Sequence, residues 1–181
     1  MNTEVGLEKL DGVRMEYFSI RDDVRGNTSK IQVPFSNLED STSITFLNSH
    51  NLLSGTIRGF HLQTRPYGEE KLISCKMGSI FDVIIDLRAQ SKTFGEWASL
   101  TLEEGDNCSL FLPAGLAHGY QTTRDNTVVN YLINGRYSPE HAVSFSPLHS
   151  IPTLSWPLEI SAVSPHDRHA PRLNLEIHKY I

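Results

Sequence analysis

Between Lys71 and Ile133 the chain alternates apolar and polar residues with a period of two, in short runs closed by turn residues, and strands are what this rhythm builds. The runs are Lys71 to Cys75, Ser79 to Leu87, Trp97 to Leu102, Ser109 to Leu112, Gly119 to Thr122 and Thr127 to Ile133. Met77-Gly78, Phe94-Gly95, Glu104-Gly105-Asp106, Pro113-Ala114-Gly115 and Arg124-Asp125-Asn126 separate them, each with turn chemistry. Strands at such spacing predict an all-β sandwich or barrel. No segment holds a capped 3.6-residue period, so helix is a minor component. The tail from Trp156 to Ile181, rich in Pro and His, shows no strand pattern and is expected to wrap the barrel with at most a short helical turn.

At 181 residues and 39% hydrophobic content the chain fits one domain, and a domain of this size removes roughly 70% of its unfolded surface from water. The formal net charge of -5, without a run of Lys and Arg, speaks against nucleic acid as a partner. The first residues have neither a basic nor an apolar leader region, and no stretch has the length of a membrane span, so a soluble, cytoplasmic protein is expected. Cys75 and Cys108 lack a paired spacing, so neither a disulfide framework nor a zinc site is expected, and both read as thiols in or near the core.

Gly55 to Lys71 gathers Arg58, His61 and Lys71. An imidazole can take a proton, an ammonium can hold the negative charge left behind, and a guanidinium can hold a phosphate. Strict alternation places His61 on one strand face with Gly59 and Gln63, and Arg58 on the other. Gly59 can resolve this conflict through a bulge. Read alone, His61 fits a hydrogen-bonded structural histidine better than a base, and Lys71 a surface charge. In Phe81 to Arg88, Phe81, Val83, Ile85 and Leu87 share a face that reads as core, opposite Asp82, Ile84, Asp86 and Arg88. Tyr131, in step with Val129 and Ile133, should point inward, where its hydroxyl needs a partner or a ligand.

Arg58-Gly-Phe-His61-Leu-Gln63, Lys71-Leu-Ile, Gly78 through Arg88, Ser91 through Trp97, Leu112-Pro-Ala-Gly-Leu-Ala-His-Gly119 and Tyr137-Ser-Pro139 resemble, in order and spacing, the dTDP-4-dehydrorhamnose 3,5-epimerase family. The resemblance runs from Arg25 to Pro171. It implies a cupin-type jelly roll, or double-stranded β-helix, with the ligand inside the barrel and an N-terminal strand exchanged in a homodimer. It also implies epimerisation of a nucleotide-linked 4-keto-6-deoxyhexose beside its ketone, with no organic cofactor and no metal. By the family's pattern His61 is the base, Tyr131 the proton donor, Lys71 the enolate-stabilising ammonium and Asp167 the carboxylate that orients the base. Arg58 and Arg25 match the diphosphate clamp, His118 a histidine beside sugar and phosphate, and Tyr137 a second tyrosine near the sugar. Asn48 and Gln63 match further substrate contacts.

The chain departs from the pattern where the family reads the nucleotide base. Arg25-Gly-Asn-Thr-Ser-Lys30 stands for the usual Arg-Gly-Phe-Phe-x-Glu, Phe46 for a Gln, and Phe145-Ser-Pro147 for Asn-Asp-Pro. A lysine in place of a carboxylate acceptor reverses what the site asks of a base edge, so a CDP-linked sugar competes with a dTDP-linked one. Other readings on the same barrel are a metal-dependent cupin enzyme, a 3,4-ketoisomerase and a non-catalytic sugar-nucleotide binder. His61-Leu-Gln63 lacks the His-x-His of the metal enzymes, and Lys71 beside a metal position would be unfavourable.

Overall fold

The computed structural model describes residues 6–36 and 43–176. In chain order its strands are β1 Arg14–Tyr17, β2 Ser19–Asp23, β3 Gly26–Lys30, β4 Ile44–Asn51, β5 Thr56–Gln63, β6 Glu70–Met77, β7 Ser79–Asp86, β8 Trp97–Glu103, β9 Cys108–Leu112, β10 Leu116–Thr122, β11 Thr127–Asn134, β12 Ala142–Ser144 and β13 Ala162–Val163. One short helix, α1, covers Pro165–His169. Every strand predicted between Lys71 and Ile133 is present within a few residues of its expected limits.

Two sheets form the jelly roll. One runs β1-β9-β6-β11-β4, the other β12-β5-β10-β7-β8 with β13 lying parallel on β5, and β2 and β3 make a separate hairpin. The inward faces meet in a core that includes Ile73, Ile80, Ile84, Leu100, Leu110 and Val129.

Both faces of β7 are buried, where alternation suggested one. Ile80 and Ile84 join the barrel interior, whereas Val83 and Ile85 pack outward against Phe60, Phe145, Leu154 and Trp156. The tail supplies this cover, with Trp156 stacked on Phe60 at 6.1 Å between ring centroids. Burial on both faces allows carboxylates only where they are paired. Asp86 duly accepts hydrogen bonds from Arg88, Ser91 and Thr93. The tail also holds the two-residue β13, too short to leave a periodic signal, and residues 177–181 of it lie outside the described residues. Among the described residues no helix is long and apolar enough to cross a membrane. Cys75 is buried, which pushes its thiol up to about 11, and Cys108 is half-buried.

Candidate active site

The bulge expected at Gly59 is present and shapes the site. His118 on β10 pairs with His61 on β5, but Tyr120, two residues on, pairs with Arg58, three residues back. The extra residue in β5 turns Arg58 and His61 toward the same space despite their odd spacing. They line one cavity of about 270 Å³ with Leu47, Ser49, Lys71, His118, Tyr120, Tyr131 and Ile133.

His61 is oriented from behind. Its Nε2 lies 2.7 Å from Oδ1 of Asp167, a residue 106 positions later whose side chain is almost fully buried. The local sequence explains how a tail residue reaches this point. Ser164 caps α1 by accepting from the Asp167 N–H at 3.0 Å, and Pro165 opens the first turn. With its main chain fixed, Asp167 turns its carboxylate to His61 and to the Gly59 N–H at 3.3 Å. Burial by itself would raise this carboxyl, but hydrogen bonding and charge from His61, with the Gly59 N–H and Ser164, outweigh it and hold the group below the usual carboxylate range. An ionised Asp167 accepts the Nε2 proton and leaves the lone pair on Nδ1.

Because the folded value lies below the unfolded one, about 3.9, this pairing contributes its stability in full above that value and loses it as pH falls through the folded value. Asp86, lowered by its own hydrogen bonds against burial, acts in the same sense. Asp167→Asn should therefore be less stable than the parent protein at neutral pH and lose less of its urea midpoint between about pH 5 and pH 3. Parallel urea titrations check this.

Tyr131 is buried as its alternation predicted. Burial pushes its phenol well above the usual range, and Tyr120 and Asp82 push the same way against a smaller pull from Arg58, so it keeps its proton at neutral pH. His118 meets the Tyr131 ring edge to face at 5.9 Å, and its Nε2 lies 2.8 Å from Oδ2 of the fully buried Asp82. The other Asp82 oxygen has no hydrogen-bond partner. Lys71 sits 3.5 Å from Glu69, both side chains mostly buried. The Arg58 Nε donates to Asn51 Oδ1 at 2.7 Å.

Four of the expected substrate contacts lie outside the cavity lining. Gln63 is buried, donating to the carbonyls of Tyr67 and Arg136 and accepting from the Ser138 N–H at 2.6 Å, so it braces the loop after β11. Asn48 lies on the outward face of β4. Leu47 pairs with Tyr131 and Ser49 with Val129, which sends Leu47 and Ser49 inward and Phe46 and Asn48 outward. Tyr137 is exposed after β11, and Arg25, at the tip of the β2–β3 hairpin, is exposed and paired with Asp23. The sequence reading did not single out Ser49, Asn51 and Tyr120 and gave Asp82 no partner. A carboxylate in the apolar run Phe81-Asp82-Val83-Ile84 was a signal in itself, since such a group needs a partner when buried. Among the described residues no group of three or more His, Cys, Asp or Glu side chains is placed to hold a metal ion.

The profile of the family described as dTDP-4-dehydrorhamnose 3,5-epimerase matches residues 9–174. The enzyme of that name from Mycobacterium tuberculosis (strain CDC 1551 / Oshkosh) is 35% identical over 124 residues, 68% of this chain and 61% of its own length. A dTDP-4-dehydrorhamnose 3-epimerase from Streptomyces niveus is 33% identical over 64% of this chain and 56% of its own length. The matched stretch thus spans less than two thirds of these curated relatives. The crystal structure of the 3,5-epimerase from Bacillus anthracis, with TDP and pyrophosphate bound, superposes with a TM-score of 0.78 at 30% identity, covering 90% of this chain and 94% of that one. With the jelly roll, the cavity and a family match over nearly its whole length, this chain belongs to the dTDP-4-dehydrorhamnose 3,5-epimerase family.

Proposed function

We propose that this chain epimerises a nucleoside-diphosphate-linked 4-keto-6-deoxyhexose at a carbon beside its ketone, through an enolate. The observation that carries the reading is the 270 Å³ cavity on which an imidazole, an ammonium and a protonated phenol converge, the imidazole held at 2.7 Å by a buried carboxylate. His61 Nδ1 takes the proton from carbon. Lys71 faces the oxygen on which charge collects, a contribution of ~3–4 kcal/mol per donor by analogy with oxyanion holes. Tyr131 returns a proton to the opposite face, and the carbon is inverted. A binding module would have no use for an oriented base and a separate acid.

The cavity suits a sugar ring and is small beside the roughly 300–1,000 Å³ of sites that take larger ligands. A groove of about 440 Å³ lined also by Thr56, Ile57, Ser164, His166 and Asp167 shares Arg58 and His61 with it, and Arg58, at the junction of the two, would hold the diphosphate. Arg25 would complete the diphosphate clamp from the hairpin of a second copy in a homodimer. The wholly exposed hairpin and the apolar outer residues Ile44 and Phe46 on the edge strand β4 support such a dimer.

Thymidine is the base named for the relatives. A cytidine nucleotide is the second reading, favoured by Lys30 at a usual acceptor position. Proton NMR in deuterium oxide with dTDP- and CDP-linked 4-keto-6-deoxyglucose tests both. Exchange and inversion at C3, C5 or both is expected, and a clear preference for the dTDP sugar removes the cytidine reading. No exchange at either carbon with either sugar contradicts the epimerase reading.

A further inference from the structure

Tyr131 presents a supply problem to the mechanism just proposed. It is 9% exposed, and a sugar filling the cavity would cover its open side. Once its proton has gone to carbon, a buried phenolate must be neutralised from within the protein. The neighbours are suited to this. The Tyr120 phenol lines the same cavity as that of Tyr131, both rings lie against His118 at 6.2 and 5.9 Å, and the Tyr120 oxygen lies 2.9 Å from the Ser49 hydroxyl. Asn51 donates to the Tyr120 oxygen from Nδ2 at 3.2 Å, and its own carbonyl is held by Arg58. The Asn51 carbonyl oxygen is a long alternative acceptor for the Tyr120 hydroxyl, at 3.4 Å, but it already accepts from Arg58 at 2.7 Å, so the Tyr120 proton is free to turn to Tyr131 or to Ser49. Ser49 lines the same cavity from β4, the edge strand of its sheet, and is half-buried there, so this end of the path meets water when the cavity is open.

We propose that Tyr120 is the proton relay for Tyr131, a role that rests on the epimerase reading. As the Tyr131 O–H bond breaks and the new C–H bond forms, the Tyr120 O–H bond breaks and its proton passes to the Tyr131 oxygen. Tyr120 is refilled from the Ser49 hydroxyl, and Ser49 from water. The proton taken by His61 leaves to solvent through its half-exposed ring, so each turnover returns both groups to their starting states. Tyr120 acts through Tyr131 and is a positioning and relay residue, not the acid itself.

Tyr120→Phe keeps the ring and removes only the hydroxyl. In deuterium oxide with dTDP-4-keto-6-deoxyglucose, NMR can follow deuterium entry at the carbon and inversion of that carbon separately. Because His61 and its surroundings are untouched, deuterium entry should stay within about twofold of the parent protein and KM should hardly change. Inversion should slow about tenfold, a fraction of what complete loss of a general acid gives. Ser49→Ala, which leaves both phenols in place, should slow inversion in the same selective way and covers the case in which Tyr120→Phe does not fold. Equal losses of entry and inversion in both variants would overturn the relay, as would parent-like inversion in either. If the parent protein shows neither entry nor inversion, the epimerase reading itself falls, and the relay with it.

Discussion

His61→Asn is expected to fold and to lose turnover by ~10³-fold, within the range that removal of a general base produces. The asparagine amide overlays Nδ1 and falls short of the Nε2 position, so Asp167 loses its imidazole partner but keeps the Gly59 N–H at 3.3 Å, and the variant should fold with reduced stability. What disappears is the lone pair on Nδ1, and with it every event that begins by breaking the C–H bond. Deuterium entry and inversion should therefore vanish together in this variant, with KM little changed because Arg58 and the groove are intact. Tyr131→Phe should behave differently. His61 still removes the proton and can return a solvent-derived one to the same face, so entry continues while inversion fails. Steady-state kinetics with NMR of the recovered sugar distinguishes the two patterns. A His61→Asn protein that still exchanges the hydrogen would assign the base elsewhere.

The second large effect is expected at Gly59, where the fold and the site depend on the same atom positions. Gly59 has φ +107, and a Cβ built there would lie 2.6 Å from the Gly119 Cα and the His118 carbonyl oxygen. Both obstacles are backbone, so no rotamer change relieves them. Gly119 is the reciprocal case, since its Cβ would meet the Arg58 carbonyl oxygen at 2.8 Å. Two glycines thus let β5 and β10 approach where the bulge brings Arg58 and His61 to one side. Gly59→Ala should cost about 3 kcal/mol or more, from strain at φ and from parting the two strands. In a domain of this size that lowers Tm by about 10 °C. Gly105→Ala is the control. It also has a positive φ, but nothing lies within 4 Å of its Cβ, so only the backbone strain of ~1 kcal/mol is expected. Thermal unfolding compares the two, and similar losses in both would mean that the close approach of β5 and β10 is unimportant. Folded Gly59→Ala protein should also turn over slowly, because the strands that carry His61 and His118 have shifted.

Legibility in the sequence followed the physics of each segment. In β8 and β11 one face is more buried than the other, so period and strand agree, whereas β7 and β10 are buried on both faces. The bulge could be read because a glycine stood between two residues whose chemistry required one side. In β4 the usual rule does not hold. Leu47 and Ser49 face the cavity, Asn51 bonds Tyr120 within it, and Ile44 and Phe46 face outward. A strand with apolar residues on both faces leaves no period to read, so alternation alone does not mark β4. Asp82 could be flagged as a buried carboxylate, but its partner His118 stands 36 residues away and becomes adjacent only when β7 and β10 pair. Gln63 lies in a recognisable motif yet acts on a loop more than seventy residues later in the chain, a contact that no local pattern encodes.

In the proposed mechanism His61 and Tyr131 address one sugar ring from opposite sides. A crystal structure of the protein with an intact nucleotide-linked pyranose tests it most directly. The ring should lie in the 270 Å³ cavity with His61 Nδ1 over one face, the Tyr131 hydroxyl over the other and the Lys71 ammonium toward the oxygen at C4, while the diphosphate passes Arg58. A ring seated elsewhere, or one with both groups on the same face, would contradict the account.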